Sequence, residues 1–343
     1  MIRRLPKIST LLFACFLVLV VGAFLVFWFP NTSRSVNGTV ILVPKGASFA
    51  AVADSLSNAG VIRSRFTFKL AGRILGYTKS MKAGKYLFVS GQSNKEILYD
   101  INTGKSRLIV SVTIPEGWRL TQIAHRYKHD LGIDTQRFLF LCKDTAFLRL
   151  HEIHAKSLEG YLLPDTYQFY WGTDENDIIE RMLDSFKQFY NDTLKQQQQE
   201  LHATQKEILT LASIVEAESG LDGERPMIAG VYWNRLHKPM RLEADPTIQY
   251  ALGEQKRLDN KDLTINSPYN TYRHDGLPPG PINNPGRKAI LAVLYPEHHN
   301  YLYFVARGTG GHYFAKTFSE HQKNIRLYHK ARRAMQQAMK ENS

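Results

Sequence analysis

The sequence predicts an α+β fold behind a single apolar N-terminal helix, and three observations carry that reading. One is an uncharged apolar run over residues 11–29. Another is the β-branched stretch T-V-I-L-V, closed by Pro44 and Gly46 and followed by a helical pattern, an arrangement that returns at V-T-I-P-E-G from Val112. The third is a pair of helix-length periods over about 204–219 and 223–236, followed by long loops and two short alternating runs near the end.

The apolar run is long enough, at about 1.5 Å per residue, to cross a hydrocarbon core of about 30 Å. Arg3, Arg4 and Lys7 precede it, so the positive-inside rule puts the N-terminus in the cytoplasm and the rest outside. A cleaved signal peptide is the rival, but its apolar region is about 7–15 residues and ends in a small-x-small site. Here the run is longer, and Phe27, Trp28 and Phe29 replace the small residues. The expectation is an uncleaved anchor over 10–30 with a cytoplasmic tail at 1–9. No second span follows.

Composition narrows the remainder. The 343 residues carry 44 Lys plus Arg against 31 Asp plus Glu, a net charge of +13 that favours an anionic partner. The basic residues are scattered along the chain, and an exported domain rarely meets DNA, so no nucleic acid is expected. Two cysteines, Cys15 and Cys142, are too few and too far apart for a zinc ribbon or a disulfide framework. Neither a metal nor an organic cofactor is suggested. Gly104, Lys105 and Ser106 resemble the end of a phosphate-binding loop, but Tyr99 stands where its first glycine belongs. His151, Glu152 and His154 give H-E-x-H, which misses the i, i+4 spacing of a zinc protease, and no G-x-S-x-G is present.

Residues 31–38 read as a short polar tether, and a break near 103–107 separates a small module over 39–105 from a larger domain over 106–340. The recurrence of strand, Pro-x-Gly and helix aligns Pro115 with Pro44 and Gly117 with Gly46; it marks two small α/β units or a chance repetition. Tyr161, Tyr167, Phe169, Tyr170 and Trp171 form an aromatic cluster suited to a core sheet or to a stacking surface for sugar or base rings. Helical periods run through 177–200. Loops are expected over A-D-P-T-I-Q-Y at 244–250, S-P-Y-N-T-Y at 267–272 and G-L-P-P-G-P-I-N-N-P-G at 276–286, and long structured loops are commonly functional. Y-L-Y-F-V-A and H-Y-F-A then alternate as a hairpin around G-T-G-G.

One carboxylate stands out. In L-T-L-A-S-I-V-E-A-E-S, Glu216 and Glu218 are two positions apart, so on a helix they point to nearly opposite sides. With Ile208, Leu211, Ile214 and Val215 defining the apolar stripe, Glu218 projects into it and Glu216 away from it. A carboxyl group in apolar surroundings has its pKa raised, which is what a general acid near neutral pH requires. A helix-end Glu paired with an Arg or fraying into solvent fits the same pattern.

I-V-E-A-E, N-R-L at 234–236, A-D-P-T-I-Q-Y, Y-N-T-Y, G-L-P-P-G-P-I and Y-L-Y-F-V-A with G-G-H-Y-F, in this order behind an N-terminal anchor, resemble the YceG-like endolytic murein transglycosylases. The resemblance extends over nearly the whole chain. It implies a small LysM-like module ahead of a YceG-like α+β catalytic domain, with Glu218 as catalytic acid. It also implies cleavage of the β-1,4 bond between N-acetylmuramic acid and N-acetylglucosamine within nascent glycan strands, leaving 1,6-anhydro ends and terminating elongation. The partners implied are peptidoglycan glycan strands, the inner membrane and peptidoglycan synthases. Ala217 stands where some relatives carry Lys.

Around the bound glycan, Asp245, Gln249, Tyr269, Asn270 and Tyr272 are the candidates for substrate contact, because sugar rings need stacking faces and amide or hydroxyl partners. Each has a plainer role open to it: Asp245 before Pro246 is a common turn initiator, and the others can fix loops. His312, after two glycines, could reach the site or be structural. Two other functions stay open on sequence grounds, a lysozyme-like hydrolase that uses water and a noncatalytic peptidoglycan-binding scaffold.

Overall fold

The computed structural model of the chain describes residues 8–31 and 38–341. Most of the expected cytoplasmic tail (1–9) and of the tether (31–38) lies outside the described residues. Two compact units emerge, and each is described by itself.

The first unit begins with α1 (Ile8–Phe27), an uninterrupted apolar helix of 20 residues whose length and composition fit a single-pass membrane anchor. It continues through β1 (Thr39–Val43), α2 (Phe49–Asn58), α3 (Arg65–Ile74), β2 (Gly84–Phe88), α4 (Asn94–Thr103) and β3 (Ile109–Thr113). β1 and β2 pair antiparallel, with Thr39 opposite Phe88 and Val43 opposite Gly84. Alternation then sends Ile41, Val43, Tyr86 and Phe88 to one face, where they meet Val52, Leu56, Phe68, Ile97 and Ile101. The helices start where the chain offers caps: Ser48, Ser64 and Ser93 each accept a backbone N–H of the first turn, and Ser93 with Glu96 forms a capping box. The end of α1 docks on this unit. Asn94 donates to the carbonyl of Val26, one of the carbonyls a helix C-terminus leaves unpaired, and Asn31 donates to Gln92 and Asn94.

Further elements follow as α5 (Leu120–Leu131), α6 (Thr135–Leu141), α7 (Thr145–Leu150), β4 (Thr166–Tyr170), α8 (Glu175–Phe189) and α9 (Asp192–Glu200). β3 and β4 form a second two-stranded sheet. Tyr161, Tyr167 and Phe169 are buried, so most of the aromatic cluster is core, while Tyr170 is exposed under the Arg107 guanidinium. Cys142 is free and buried.

The second unit is organised around α10 (Gln205–Glu218), α11 (Arg225–Leu236) and α13 (Arg287–Leu294), with α12 (Asp245–Leu252) between the last two in sequence. α10 opens on a capping box of Thr204 and Glu207. All its residues from 208 to 215 are buried, so it is a core helix without a solvent face. A hairpin of β5 (Tyr303–Ala306) and β6 (His312–Ala315) and the long α14 (Phe318–Glu341) complete the unit.

One difference from the sequence expectation has a clear cause. A-D-P-T-I-Q-Y forms α12 instead of a loop: Ala244 is the extended N-cap, Pro246 falls in the first turn where its missing N–H costs nothing, and Gly253 closes the helix in the left-handed conformation. The G-L-P-P-G-P-I-N-N-P-G segment is a loop, as expected, and is tightly held. Asn284, fully buried, accepts from the N–H groups of Gly160 and Leu162 and donates to Trp118 and Glu159. Asn283 and Ile282 bond to Ser213 of α10. Gly160 must be glycine here, since a Cβ would lie 2.4 Å from Pro281 Cγ and its φ is +89°.

Candidate active site

Glu218 is the last residue of α10, and its carboxyl looks into a cleft of about 460 Å³. Five segments wall this cleft: Tyr232 and Arg235 from α11, Leu242 to Asp245 leading into α12, Tyr272, the β5–β6 hairpin with Phe304 and His312, and His321 and Ile325 of α14. Tyr232 and Arg235 are three apart on one helix, so they share a face.

The Tyr232 hydroxyl, buried, donates to Glu218 Oε1 at 2.6 Å. Arg235 is occupied elsewhere. Its Nε donates to the Leu302 carbonyl at 2.7 Å and its Nη1 to Leu242 at 2.7 Å, which fixes the start of the hairpin and the approach to α12. Burial raises the Glu218 pKa from the ordinary 4.5 to about 7; the Tyr232 bond and the Arg235 charge pull it down, and the Asp245 charge pushes it up. The C-terminal end of α10 acts in the same direction as burial, since its carbonyls present partial negative charge. Close to neutral pH the group can therefore hold a proton and give it up, the property of a general acid–base.

Asp245 and Tyr272 share the cleft with Glu218, and the Tyr272 hydroxyl donates to Asp245 Oδ1 at 2.6 Å. Desolvation and this carboxylate raise the Tyr272 pKa far above the usual phenol range, so it stays a neutral donor. The other three candidates have different partners and do not line this cleft. Asn270 is fully buried: its amide donates to the carbonyls of Leu263 and Ile265, and its oxygen accepts the Tyr272 N–H, so it sets the loop that presents Tyr272. Gln249 donates to the Lys256 carbonyl. Tyr269 packs on Tyr250 with ring centroids 4.8 Å apart, and Arg119 lies over Tyr250.

Glu216 does not face water. Its side chain is 6% exposed, with Oε1 2.7 Å from Arg225 Nη2 and Oε2 accepting the Gly286 N–H at 2.9 Å. It thus ties the end of α10 to the starts of α11 and α13. His312, which the sequence leaves as either reaching the site or structural, lines the cleft, whereas sequence reasoning assigns no role beside Glu218 to Tyr232, Arg235 or Glu224. The one available signal was the i, i+3 spacing of Tyr232 and Arg235 beside N-R-L. Among the described residues no group of three or more His, Cys, Asp or Glu is placed to hold a metal ion.

Comparison with known proteins gives a consistent picture. The chain matches the YceG-like family over residues 41–327. It is 34% identical over 307 residues to the endolytic murein transglycosylase of Bacillus subtilis (strain 168), covering 84% of each chain. It is 30% identical over 331 residues to the protein of the same name from Streptococcus pneumoniae (strain ATCC BAA-255 / R6), covering 86% of this chain and 59% of that longer one. The crystal structure of a yceG-like protein from Listeria monocytogenes superposes with a TM-score of 0.59 at 33% identity, over 84% of this chain and 99% of that one. With the match running through both units and through the segments that wall the Glu218 cleft, the chain belongs to the YceG-like family.

Proposed function

We propose that this protein is an endolytic murein transglycosylase: it cleaves the β-1,4 bond between N-acetylmuramic acid and N-acetylglucosamine inside glycan strands and leaves 1,6-anhydro ends. The observation that carries the reading is Glu218, a carboxyl held near pKa 7 in a walled cleft of a chain 34% identical to a protein of that name. Glu218 gives its proton to the glycosidic oxygen as the bond to C1 of the muramyl residue breaks. The resulting carboxylate then takes the proton of that sugar's C6 hydroxyl while O6 bonds to C1. One residue serves both steps because the internal hydroxyl replaces water, so no second carboxylate nucleophile is needed. Asp245 and Tyr272 are the cleft groups we assign to substrate contact. Asn270, Gln249 and Tyr269 act through the shape of the loops beside it.

The same reading places the enzyme at the bacterial inner membrane as a single-pass protein, with α1 as anchor, the N-terminus cytoplasmic and the rest outside. Arg3, Arg4 and Lys7 before the span support that orientation. A module over 39–105 would be LysM-like and grip glycan, supported by its separate core around β1 and β2, and the domain over 106–340 would be catalytic. Peptidoglycan synthases are the partners this position brings within reach. The test is the mass of the products from purified glycan strands. Anhydro ends, lighter by one water than reducing ends, support the proposal; reducing ends would make the protein a hydrolase, and no cleavage by the folded protein would make it a binding protein.

A further inference from the structure

The cleft contains a second polar device. Glu224 stands at the N-cap of α11 but makes no side-chain bond to that helix. Its carboxylate instead clasps His312 at both ends, Oε1 accepting the His312 backbone N–H at 2.9 Å and Oε2 lying 2.7 Å from Nδ1. The chain is shaped for this grip. A Cβ on Gly311 would come within 2.5 Å of Glu224 Oε1, and Gly311 has a φ of +73°, so glycine is required on both counts. The Phe304 ring packs edge-on at 5.5 Å and Phe314 at 6.4 Å, holding the imidazole in place.

An ionised carboxylate can only accept, so Nδ1 must carry the proton and donate to it, which in the neutral ring leaves Nε2 as a lone-pair acceptor. Burial pushes the Glu224 pKa up, but the two bonds from His312 with the charges of His312 and Arg307 bring it below its ordinary value, so the carboxylate is ionised at neutral pH. His312 lines the same cleft as Glu218, and Nε2 has no hydrogen-bond partner among the described residues.

We infer that Glu224 and His312 form a unit that binds the saccharide, His312 Nε2 accepting a hydrogen bond from a hydroxyl or acetamide N–H of a sugar ring seated beside Glu218. This rests on the proposed action on glycan strands. His312 touches substrate in this account, and Glu224 is a positioning residue that acts by fixing the tautomer and the ring.

Asparagine separates the two ends of the imidazole. His312→Asn keeps an N–H donor where Nδ1 stands and removes Nε2, whereas Glu224→Gln keeps His312 and removes the carboxylate that fixes its tautomer. Steady-state cleavage of glycan strands by the full chain should show KM raised about tenfold by His312→Asn with a smaller fall in kcat, at an unchanged melting temperature. Glu224→Gln should raise KM as well, and the double variant should be no worse than His312→Asn alone, because the two act as one unit. A wild-type KM in His312→Asn would overturn the inference, and so would additive effects in the double variant. Should His312→Asn fail to fold, a wild-type KM in Glu224→Gln would overturn it instead. If the wild type cleaves nothing, the proposed function fails by itself, and the dissociation constant for glycan strands takes the place of KM in the same comparison.

Discussion

The Tyr232 hydroxyl donates to Glu218 Oε1 at 2.6 Å from a fully buried ring three residues before Arg235 on the same helix. This bond favours the charged carboxylate and so opposes the desolvation that raises the Glu218 pKa. It also holds one carboxyl oxygen and leaves the other to face the cleft. Tyr232→Phe removes the stabilisation of the anion. The alkaline limb of kcat/KM should move above the wild-type position near pH 7, with kcat lowered about tenfold through lost orientation. A pH profile of both proteins checks this, and a limb that stays put or moves down would contradict it.

Glu218 also makes stability depend on pH. Its folded value of about 7 lies above the ordinary 4.5, so the folded state favours the neutral form. The associated stability is complete below pH 4.5 and is lost as pH rises through about 7. Glu218→Gln has no such loss. In denaturant titrations it should gain on the wild type by about 1–3 kcal/mol between pH 4.5 and pH 8, with the gain levelling off above. The other buried acid near pKa 7, Glu159, is present in both proteins and cancels.

The ion pair of Glu216 with Arg225 is a structural joint. Removing the carboxylate leaves a guanidinium, itself 5% exposed, short of its closest buried partner, with Asp222 and the more distant Glu116 remaining. Glu216→Ala should cost about 3 kcal/mol of unfolding free energy. Glu216→Gln should recover about half of that, because an amide oxygen still accepts one of the two bonds. Equal stability of all three proteins in a denaturant titration would contradict the assignment.

Asn284 joins three separate stretches of the chain through four hydrogen bonds made by one fully buried side chain. Asn284→Ala strips the partners from the N–H groups of Gly160 and Leu162 and should cost about 3 kcal/mol. It also removes a donor that lowers the Glu159 pKa, so Glu159 should titrate above its present value of about 7. Thermal melts and the pH dependence of stability read the two effects separately.

How much of this was legible in the sequence differs by element. The apolar run, α10, α11 and the β5–β6 hairpin follow from hydrophobic period, because burial and periodicity are local to each segment. α12 was hidden by Asp245-Pro246, a pair that opens turns and helices alike, and only the left-handed Gly253 downstream distinguishes the two. α14 gives a weak signal because charged and polar residues dominate its 24 positions. Glu218 is singled out by its place on the apolar stripe and by the family resemblance, while the same helical period turns Glu216 away from that stripe without showing what receives it. Residues 208 to 215 are buried all round and Arg225 takes the Glu216 carboxylate, contacts with other segments that no period within α10 can reveal. The walls of the cleft come from five distant segments, and no pattern within one segment shows that Tyr232, His312 and Tyr272 meet.

The central claim is that Glu218 carries the proton for bond cleavage. Its most direct test is the rate of glycan strand cleavage by Glu218→Gln beside the wild type, with circular dichroism and a melting curve taken on the same samples. The account predicts a loss of about 100-fold or more in kcat for a variant that is folded and at least as stable at pH 8. A folded Glu218→Gln protein that cleaves strands at the wild-type rate would contradict it.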